Sequence, residues 1–413
     1  MTPRVMPDGA LDLAPESGHT SPGIARILAA LVVVGLALRP QILMVGPVVG
    51  QLQADLGMSH SVAGLLGTIP VLCMGLLAPL GPVLAGSIGP RLGTAVCVAL
   101  IGIFGIARAL VPDTATVLLV TIGIGVGMAV VGPILPMVVR SRAPGHPAAG
   151  TGAYVAGLIV GGSVAAALVV PLAEGLGGWR PAFAAISAAA GVSLVAWLVL
   201  VPGDPGGRSR PALPRLPWRR RSAWLLGLVF GSQSTLFYGA ITWLASAYIE
   251  RGWTAGQAAG LIALFNGIGL LASLSIPLFA DRLGTRRSQM TGAAVLAVAG
   301  TLGVALTPGE APGSLVALAA AALLGIGLGA FFPLALTLPV DVARNPAEAA
   351  SISALMLLVG YLLSSVAPVV LGLVRDATGS FEVVLWILVG LALLMVPLGL
   401  SLGPRRLERA GAH

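Results

Sequence analysis

The chain consists of long apolar stretches separated by short polar segments. Each stretch holds about 20 residues or more without the apolar–polar alternation of a strand, which is enough to cross a bilayer as a helix. The stretches lie at residues 24–52, 60–86, 91–111, 114–140, 147–173, 179–201, 222–249, 254–280, 287–307, 313–339, 347–374 and 381–402. This pattern predicts an all-α membrane protein with twelve transmembrane helices.

The polar segments predict how the helices are grouped. Residues 202–221 form the longest interruption between apolar stretches and are rich in proline and arginine. We expect two six-helix bundles, at 24–201 and 222–402, joined by a linker at 202–221 that rests on anionic lipid headgroups. Residues 1–23 predict a disordered tail and residues 403–413 a second tail. An even number of spans places both tails on the same side of the membrane.

The arginine distribution predicts which side that is. The 23 basic residues are all arginine, and the net charge is +8. A basic chain could bind nucleic acid, but these arginines lie in short segments between apolar stretches, so no nucleic-acid partner is expected. Most fall on the side of the tails, whereas the opposite side has only Arg180, Arg251 and Arg375. The positive-inside rule therefore predicts that both termini are cytoplasmic.

The two halves contain related segments. The run GIGVG at 123–127 is matched by GIGLG at 325–329, and VLAGSIGPR at 83–91 is matched by LFADRLGTR at 278–286. Two related halves are typical of transporters that alternate access to a central site. The glycine runs follow no predicted strand and the chain has no lysine, so they favour close helix packing over nucleotide binding.

Arg39 is a permanent charge near the middle of the first apolar stretch, directly before Pro40. An arginine at the centre of a spanning helix costs about 2.5 kcal/mol or more, so it normally faces a protein interior or a wet cavity. Two roles are open: binding a ligand or lining a substrate pathway, or bonding within the protein to carbonyls freed by a kink at Pro40 or to hydroxyl groups of another helix. No carboxylate falls in the middle third of any stretch, which leaves an anionic substrate as an attractive partner.

The same lack of a central carboxylate leaves the coupling mechanism open. Facilitated diffusion and anion-linked exchange are as compatible with the sequence as proton symport is. His60 and His146 near span ends could titrate, although a helix-end role is favoured for both. Cys73 and Cys97 lie inside apolar stretches without metal-type spacing, and we expect two reduced, buried thiols.

Polar and aromatic side chains in the middle of spans are candidates for a central pocket. Core packing explains any one of them as well as a binding site does, but their convergence with Arg39 would resemble an apolar pocket with a few oriented polar groups. Phe331 and Trp243 belong to the same set, whereas Trp224 and Trp253 lie at span ends and predict interface anchors. The predicted substrate site consists of Arg39, Met44, Tyr154, Gln233, Phe237, Tyr238, Asn266, Phe332 and Tyr361.

One loop resembles a known signature. The segment PLFADRLGTRR at 277–287 is similar to the GxxxDRxGxRR loop of the major facilitator superfamily. The resemblance implies gating roles for Asp281, Arg282, Arg286 and Arg287, although the arginines could also serve only to set topology. The matching segment of the first half has glycine and serine at 86 and 87, where Asp and Arg are expected, which predicts a weaker contact there.

Further segments resemble the cyanate/2-nitroimidazole transporter family of that superfamily. They are LRP at 38–40, VGP at 45–47, TIPVLC at 68–73, GWR at 178–180, FYGAITWL at 237–244, FPLALT at 332–337 and DATG at 376–379. The resemblance implies a bacterial plasma-membrane transporter of compact solutes that works by alternating access. The chain departs from the family at Ala245 and Ser246, where relatives have two prolines, and at Asn266, where glutamine is common.

We therefore predict a secondary-active or facilitative transporter of a small anion or compact polar solute such as cyanate. The alternative is export of nitroimidazole-like or other hydrophobic compounds, with a structural role for Arg39. The expected partners are a small-molecule substrate and the lipid bilayer, and a monomer is expected. The sequence lacks HExxH, CxxC and Walker motifs, so no enzyme activity, cofactor or metal is expected.

Overall fold

A computed structural model describes residues 22–204, 216–279, 286–307 and 314–402. Within these residues the regular secondary structure is helical, and twelve helical stretches are long and apolar enough to cross a membrane. The prediction of twelve transmembrane helices is confirmed. Most of the two predicted tails and residues 205–215 of the predicted linker lie outside the described residues.

The helix bounds agree with the apolar stretches to within a few residues. The helices are α1 Pro22–Leu38, α2 Pro40–Leu43, α3 Val49–Leu56, α4 His60–Leu77, α5 Leu80–Ile88, α6 Pro90–Leu110, α7 Thr114–Arg142, α8 Pro147–Leu176, α9 Trp179–Leu200, α10 Arg221–Glu250, α11 Ala255–Phe279, α12 Arg286–Leu306, α13 Leu315–Val342, α14 Pro346–Thr378 and α15 Phe381–Leu400. A 3₁₀ turn, Gly46–Val48, lies between α2 and α3.

The first span is interrupted rather than continuous. Helix α1 ends at Leu38, Arg39 has φ −105° and ψ −16°, and Pro40 begins the short helix α2. Proline has no backbone N–H and its ring clashes with the preceding turn, so the α-helical hydrogen-bond series cannot continue through this point. The interruption places Arg39 at a joint between two helical segments.

The helices form two bundles. We call α1–α9 the first bundle and α10–α15 the second. The end near residues 142–147, 201–204 and 216–221 is called the linker face, and the opposite end the far face. The bundles meet chiefly where α4 packs on α14 and α8 packs on α11. The core between helices is built from small and branched apolar side chains, many of them fully buried.

The two glycine runs lie at helix crossings. A Cβ atom on Gly127 would lie 2.7 Å from the Cys97 carbonyl oxygen, so α6 and α7 approach more closely there than a larger residue allows. In the second bundle Gly329 lies against the backbone of Gly269 in the same way. The prediction that these runs serve helix packing is confirmed.

Tryptophan placement corrects one expectation. Trp253 was predicted to be an interface anchor, but it is only 4% exposed and packs edge-on against the Tyr248 ring at 4.7 Å. The turn after α10 folds it back onto that helix, where Trp253 N–H donates to the Tyr248 carbonyl. Trp224 is exposed, and its role as an anchor remains a prediction. Cys73 and Cys97 are free and buried, as expected.

Candidate functional site

A cavity of about 400 Å³ lies between the two bundles. Its lining residues come from both bundles and extend toward the linker face as far as Ala78, Pro136 and Leu336. Eight of the nine residues predicted for the site are among them, namely Arg39, Tyr154, Gln233, Phe237, Tyr238, Asn266, Phe332 and Tyr361. Of the described residues that line the cavity, Arg39 alone carries a charge.

Three sequence candidates, Met44, Phe331 and Trp243, do not line this cavity. Met44 is fully buried and does not line the cavity; it lies five residues after Arg39, which is about 140° around a helix from it. Phe331 is also fully buried and does not line the cavity, whereas the adjacent Phe332 does. The inclusion of Met44 in the site is therefore corrected.

The Arg39 guanidinium lies beside aromatic side chains. Its Cζ atom is 5.0 Å from the centroid of the Phe237 ring, within the range of a cation–π interaction. It also interacts with the Tyr238 hydroxyl group. No described carboxylate forms an ion pair with Arg39. The half-buried cation thus retains hydrogen-bond donors for a group that enters the cavity.

The polar groups of the second bundle are held by their neighbours. Gln233 donates from Nε2 to the Leu328 carbonyl oxygen over 3.4 Å, and its Oε1 accepts from the Ser234 hydroxyl over 3.2 Å. Asn266 donates to the Ile262 carbonyl one turn earlier over 2.9 Å. These contacts fix the orientation of both amides and provide a few directed polar groups in a largely apolar cavity.

Aromatic rings form two groups along the cavity wall. Phe237 packs against Tyr238 and Phe265, with ring centroids 5.4 and 5.8 Å apart. Phe332 and Tyr361 both pack against Phe230, at 6.0 and 5.2 Å. Because these rings are rigid and packed on each other, they form a preorganised surface for a flat or compact ligand.

The far face is closed by contacts between the bundles. Asp376 at the end of α14 accepts hydrogen bonds from the backbone N–H groups of His60 and Ser61 at the start of α4. Deeper in the same interface the Thr68 hydroxyl donates to the Ser365 carbonyl over 2.6 Å. Ligand entry from this side requires these contacts to break.

At the linker face, three ion pairs each join residues of the same bundle. They are Arg142 with Asp204, Arg220 with Glu348, and Arg286 with Asp341. The predicted gating residues Asp281 and Arg282 lie outside the described residues. Arg286 donates to Asp341 over 3.3 Å, and Arg287 is exposed.

Sequence reasoning missed two groups. Asp204, just after α9, pairs with Arg142 and accepts from the Arg91 backbone N–H over 3.0 Å. It therefore supplies a carboxylate near the 83–91 loop, which has Gly86 where the signature has aspartate. Arg108 in α6 is fully buried and donates to Gln41. An arginine inside an apolar stretch was the available signal for Arg108; the sequence contains no comparable signal for Asp204.

The chain matches the family model of the Major Facilitator Superfamily over residues 31–368. It belongs to the major facilitator superfamily. The cyanate transport protein CynX of Escherichia coli is 31% identical over 86% of this chain and 91% of its own length. The 2-nitroimidazole transporter of Escherichia coli is 28% identical over 91% of this chain and 95% of its own length. The resemblance to the cyanate/2-nitroimidazole transporter family is confirmed.

A solved structure supports the fold. The D-xylose–proton symporter superimposes with a TM-score of 0.73 over 93% of this chain and 98% of its own, at 18% identity. At that identity the likeness concerns architecture alone. The superfamily member described here is accordingly a multi-pass membrane protein with two six-helix bundles, and its relatives are transporters of small molecules.

Proposed function

We propose that this protein transports a small anion or compact polar solute of the cyanate class, by secondary-active or facilitated movement through alternating access. The observation that supports it best is Arg39, a cation at the joint of the first span that lines the central cavity without a described counterion. An intramembrane charge is expensive unless a partner stabilises it, and a bound anion would be that partner.

The surroundings of Arg39 fit a compact anion. The guanidinium offers a planar fork of donors suited to electron-rich oxygen or nitrogen atoms, and Phe237 holds it from one face. Gln233 and Asn266, on facing helices of the second bundle, line the same cavity. A ligand that bridges Arg39 and these amides would connect both bundles, which is the property a substrate needs to influence their relative movement.

Alternating access is supported by the unequal ends of the molecule. Inter-bundle contacts such as that of Asp376 with His60 close the far face, whereas the cavity lining extends toward the linker face. We propose that the linker face and both termini are cytoplasmic, as the arginine distribution favours, in a bacterial plasma membrane. In this orientation the cavity would open toward the cytoplasm. We further propose that the protein acts as a monomer.

The test is cyanate binding and uptake with a matched charge control. Arg39→Gln should abolish the thermal stabilisation of the purified protein by sodium cyanate and the uptake of labelled cyanate into proteoliposomes. Arg251→Gln is the control, because Arg251 donates to the Val304 carbonyl at the far face and lies outside the cavity. Unchanged cyanate binding in folded Arg39→Gln protein would refute the proposed role of Arg39.

A second candidate follows from the size of the cavity. A triatomic anion fills only a small part of about 400 Å³, whereas a nitroheterocycle could stack on an aromatic ring of the lining such as Phe237 or Phe332. Under this alternative the protein exports nitroimidazole-like compounds and Arg39 has a structural role. Accumulation of 2-nitroimidazole in cells that lack or express the protein distinguishes the two, because export lowers accumulation and remains active in a folded Arg39→Gln variant.

A further inference from the structure

A second arginine lies inside the first bundle, away from the cavity. Arg108 in α6 is fully buried and does not line the cavity. No described carboxylate forms an ion pair with it. Its guanidinium carbon lies 4.8 Å from the Phe183 ring centroid, and its Nε and Nη1 atoms have no hydrogen-bond partner among the described residues. A buried, incompletely paired charge is unfavourable for stability, so its contacts require an explanation.

Its hydrogen bonds all go to one residue. The Nη2 atom of Arg108 donates to the side-chain Oε1 of Gln41 over 2.9 Å and to the Gln41 backbone carbonyl over 3.2 Å. Gln41 in turn donates from Nε2 to the Ser187 hydroxyl of α9 over 2.9 Å. The three side chains are buried, and they tie α2 to both α6 and α9.

The backbone at Gln41 is irregular because of the helix interruption. Gln41 lies two residues after Arg39, in the four-residue helix α2. In a regular helix the Gln41 carbonyl would accept from the N–H of Val45, but Val45 donates to the Ile42 carbonyl instead. The Gln41 carbonyl instead accepts a charge-assisted hydrogen bond from the Arg108 side chain on a neighbouring helix.

A glycine makes this arrangement possible. A Cβ atom on Gly105, one turn before Arg108, would lie 2.6 Å from both Gln41 Nε2 and Ser187 Oγ. Only a residue without a side chain leaves room for the amide and the hydroxyl to meet there. The sequence of α6 thus combines a small residue and a cation one turn apart, both directed at the same interrupted segment.

We propose that Arg108 is a positioning residue that holds the α1–α2 joint and thereby orients Arg39 toward the substrate. The inference rests on the proposed anion-binding role of Arg39. Arg108 acts through the Gln41 backbone and side chain rather than by touching substrate. This role requires a side chain at position 108 that can donate more than one hydrogen bond, because the backbone carbonyl and the side-chain oxygen of Gln41 both accept from the Arg108 guanidinium group.

The experiment compares cyanate affinity with the stability of the ligand-free protein. Arg108→Met, which keeps volume and removes the donors, should weaken the binding of sodium cyanate about tenfold, as expected for coupled neighbours. Its ligand-free melting temperature should fall by no more than a few degrees, because the loss of two hydrogen bonds to Gln41 is partly offset by the removal of a buried, incompletely paired charge. Arg108→Lys should recover part of the affinity, since it can still donate to Gln41.

A double variant tests whether Arg108 acts through Arg39. Arg108→Met should add little further loss of cyanate affinity in an Arg39→Lys background, which keeps a cation and a measurable residual affinity, whereas independent roles would add. Thr121→Val is the matched control, because Thr121 is buried in the same bundle and bonds only within its own helix, to Val117.

The outcomes separate this inference from the proposed function. If Arg39→Gln binds cyanate normally, the proposed function fails. If Arg39→Gln loses binding while folded Arg108→Met retains full affinity, only the positioning role is overturned. Additive losses in the double variant also overturn it. If Arg108→Met does not fold, Gln41→Met takes its place in the experiment. The same loss of cyanate affinity is expected for Gln41→Met, and a normal affinity would contradict the positioning role.

Discussion

The Asp376 carboxylate lies 2.8 Å from the Nδ1 atom of His60, across the boundary between the two bundles. The same carboxylate accepts from the backbone N–H groups of His60 and Ser61 over 3.0 and 2.8 Å. These are the first residues of α4, so a negative charge on one bundle stabilises the N-terminal end of a helix on the other. The proposed alternating-access cycle would break this arrangement whenever the far face opens.

Removing this carboxylate should favour opening of the far face. We expect Asp376→Ala to speed maleimide labelling of a cysteine introduced at Thr242 about tenfold, in a background without Cys73 and Cys97, because several charge-assisted bonds are lost from the closed state alone. Thr242 is 6% exposed in the closed arrangement. The measurement is the labelling rate in membranes.

Asp113→Ala is the control for that experiment. Asp113 accepts from the Thr116 N–H at the start of α7, within the first bundle, and this bond holds the pKa of Asp113 below its usual value. The control therefore removes a charged helix cap without touching the boundary between bundles. An unchanged labelling rate in Asp376→Ala would argue against the proposed role of this contact.

Phe237 should contribute to anion affinity through Arg39. Phe237→Leu keeps an apolar side chain but removes the ring that lies 5.0 Å from the guanidinium carbon. We expect a loss of about 1 kcal/mol, or roughly fivefold in cyanate affinity, measured by calorimetry on purified protein. Phe104→Leu is the control, because Phe104 packs at Gly123 away from the cavity. Equal effects of the two changes would show that Phe237 acts only through packing.

Gly46 should not tolerate a side chain. A Cβ atom there would lie 2.6 Å from the Ile241 carbonyl oxygen of the opposite bundle. Gly46→Ala should destabilise the closed arrangement by about 1–3 kcal/mol, seen as a lower melting temperature. Gly50, four residues later, has open space around it. Gly50→Ala should therefore leave the melting temperature unchanged or raise it, and a matching decrease would contradict the prediction.

Asp204 should matter more to stability than Asp341. Asp204→Asn weakens the ion pair with Arg142 and the bond from the Arg91 N–H, and we expect a loss of about 1–2 kcal/mol in the free energy of unfolding. Asp341→Asn disturbs a single, more exposed pair with Arg286 at 3.3 Å, for which about 0–1 kcal/mol is expected. Denaturation curves of both variants in the same detergent compare the two losses directly.

The helices were predictable because polar or helix-breaking residues mark the boundaries of the apolar stretches. The stretch at 114–140 begins after Asp113, whose side chain caps α7, and that at 147–173 begins at Pro147. Length and hydropathy alone then determine which segments can span a membrane. Arg39 was recognisable for the complementary reason, since a charge in an apolar stretch is expensive wherever it points.

Side-chain direction was harder to predict. Met44 lies five residues after Arg39 and would point about 140° away from it even in a regular helix. Phe331 and Phe332 are adjacent and equally apolar, and only packing against neighbouring helices decides that the second one lines the cavity. The link from Arg108 through Gln41 to Ser187 joins three spans that are far apart in sequence, and hydropathy contains no information about such pairs.

If the proposed cycle holds, the one cation among the described lining residues would also determine which step the membrane voltage affects. A univalent anion beside Arg39 would bring the net charge of the cavity to zero, whereas the empty cavity would keep one positive charge. Each elementary charge moved through 100 mV changes the energy by about 2.3 kcal/mol. The return of the empty carrier would therefore be the electrically sensitive half of the cycle, and the crossing of the loaded carrier would proceed almost independently of the resting potential.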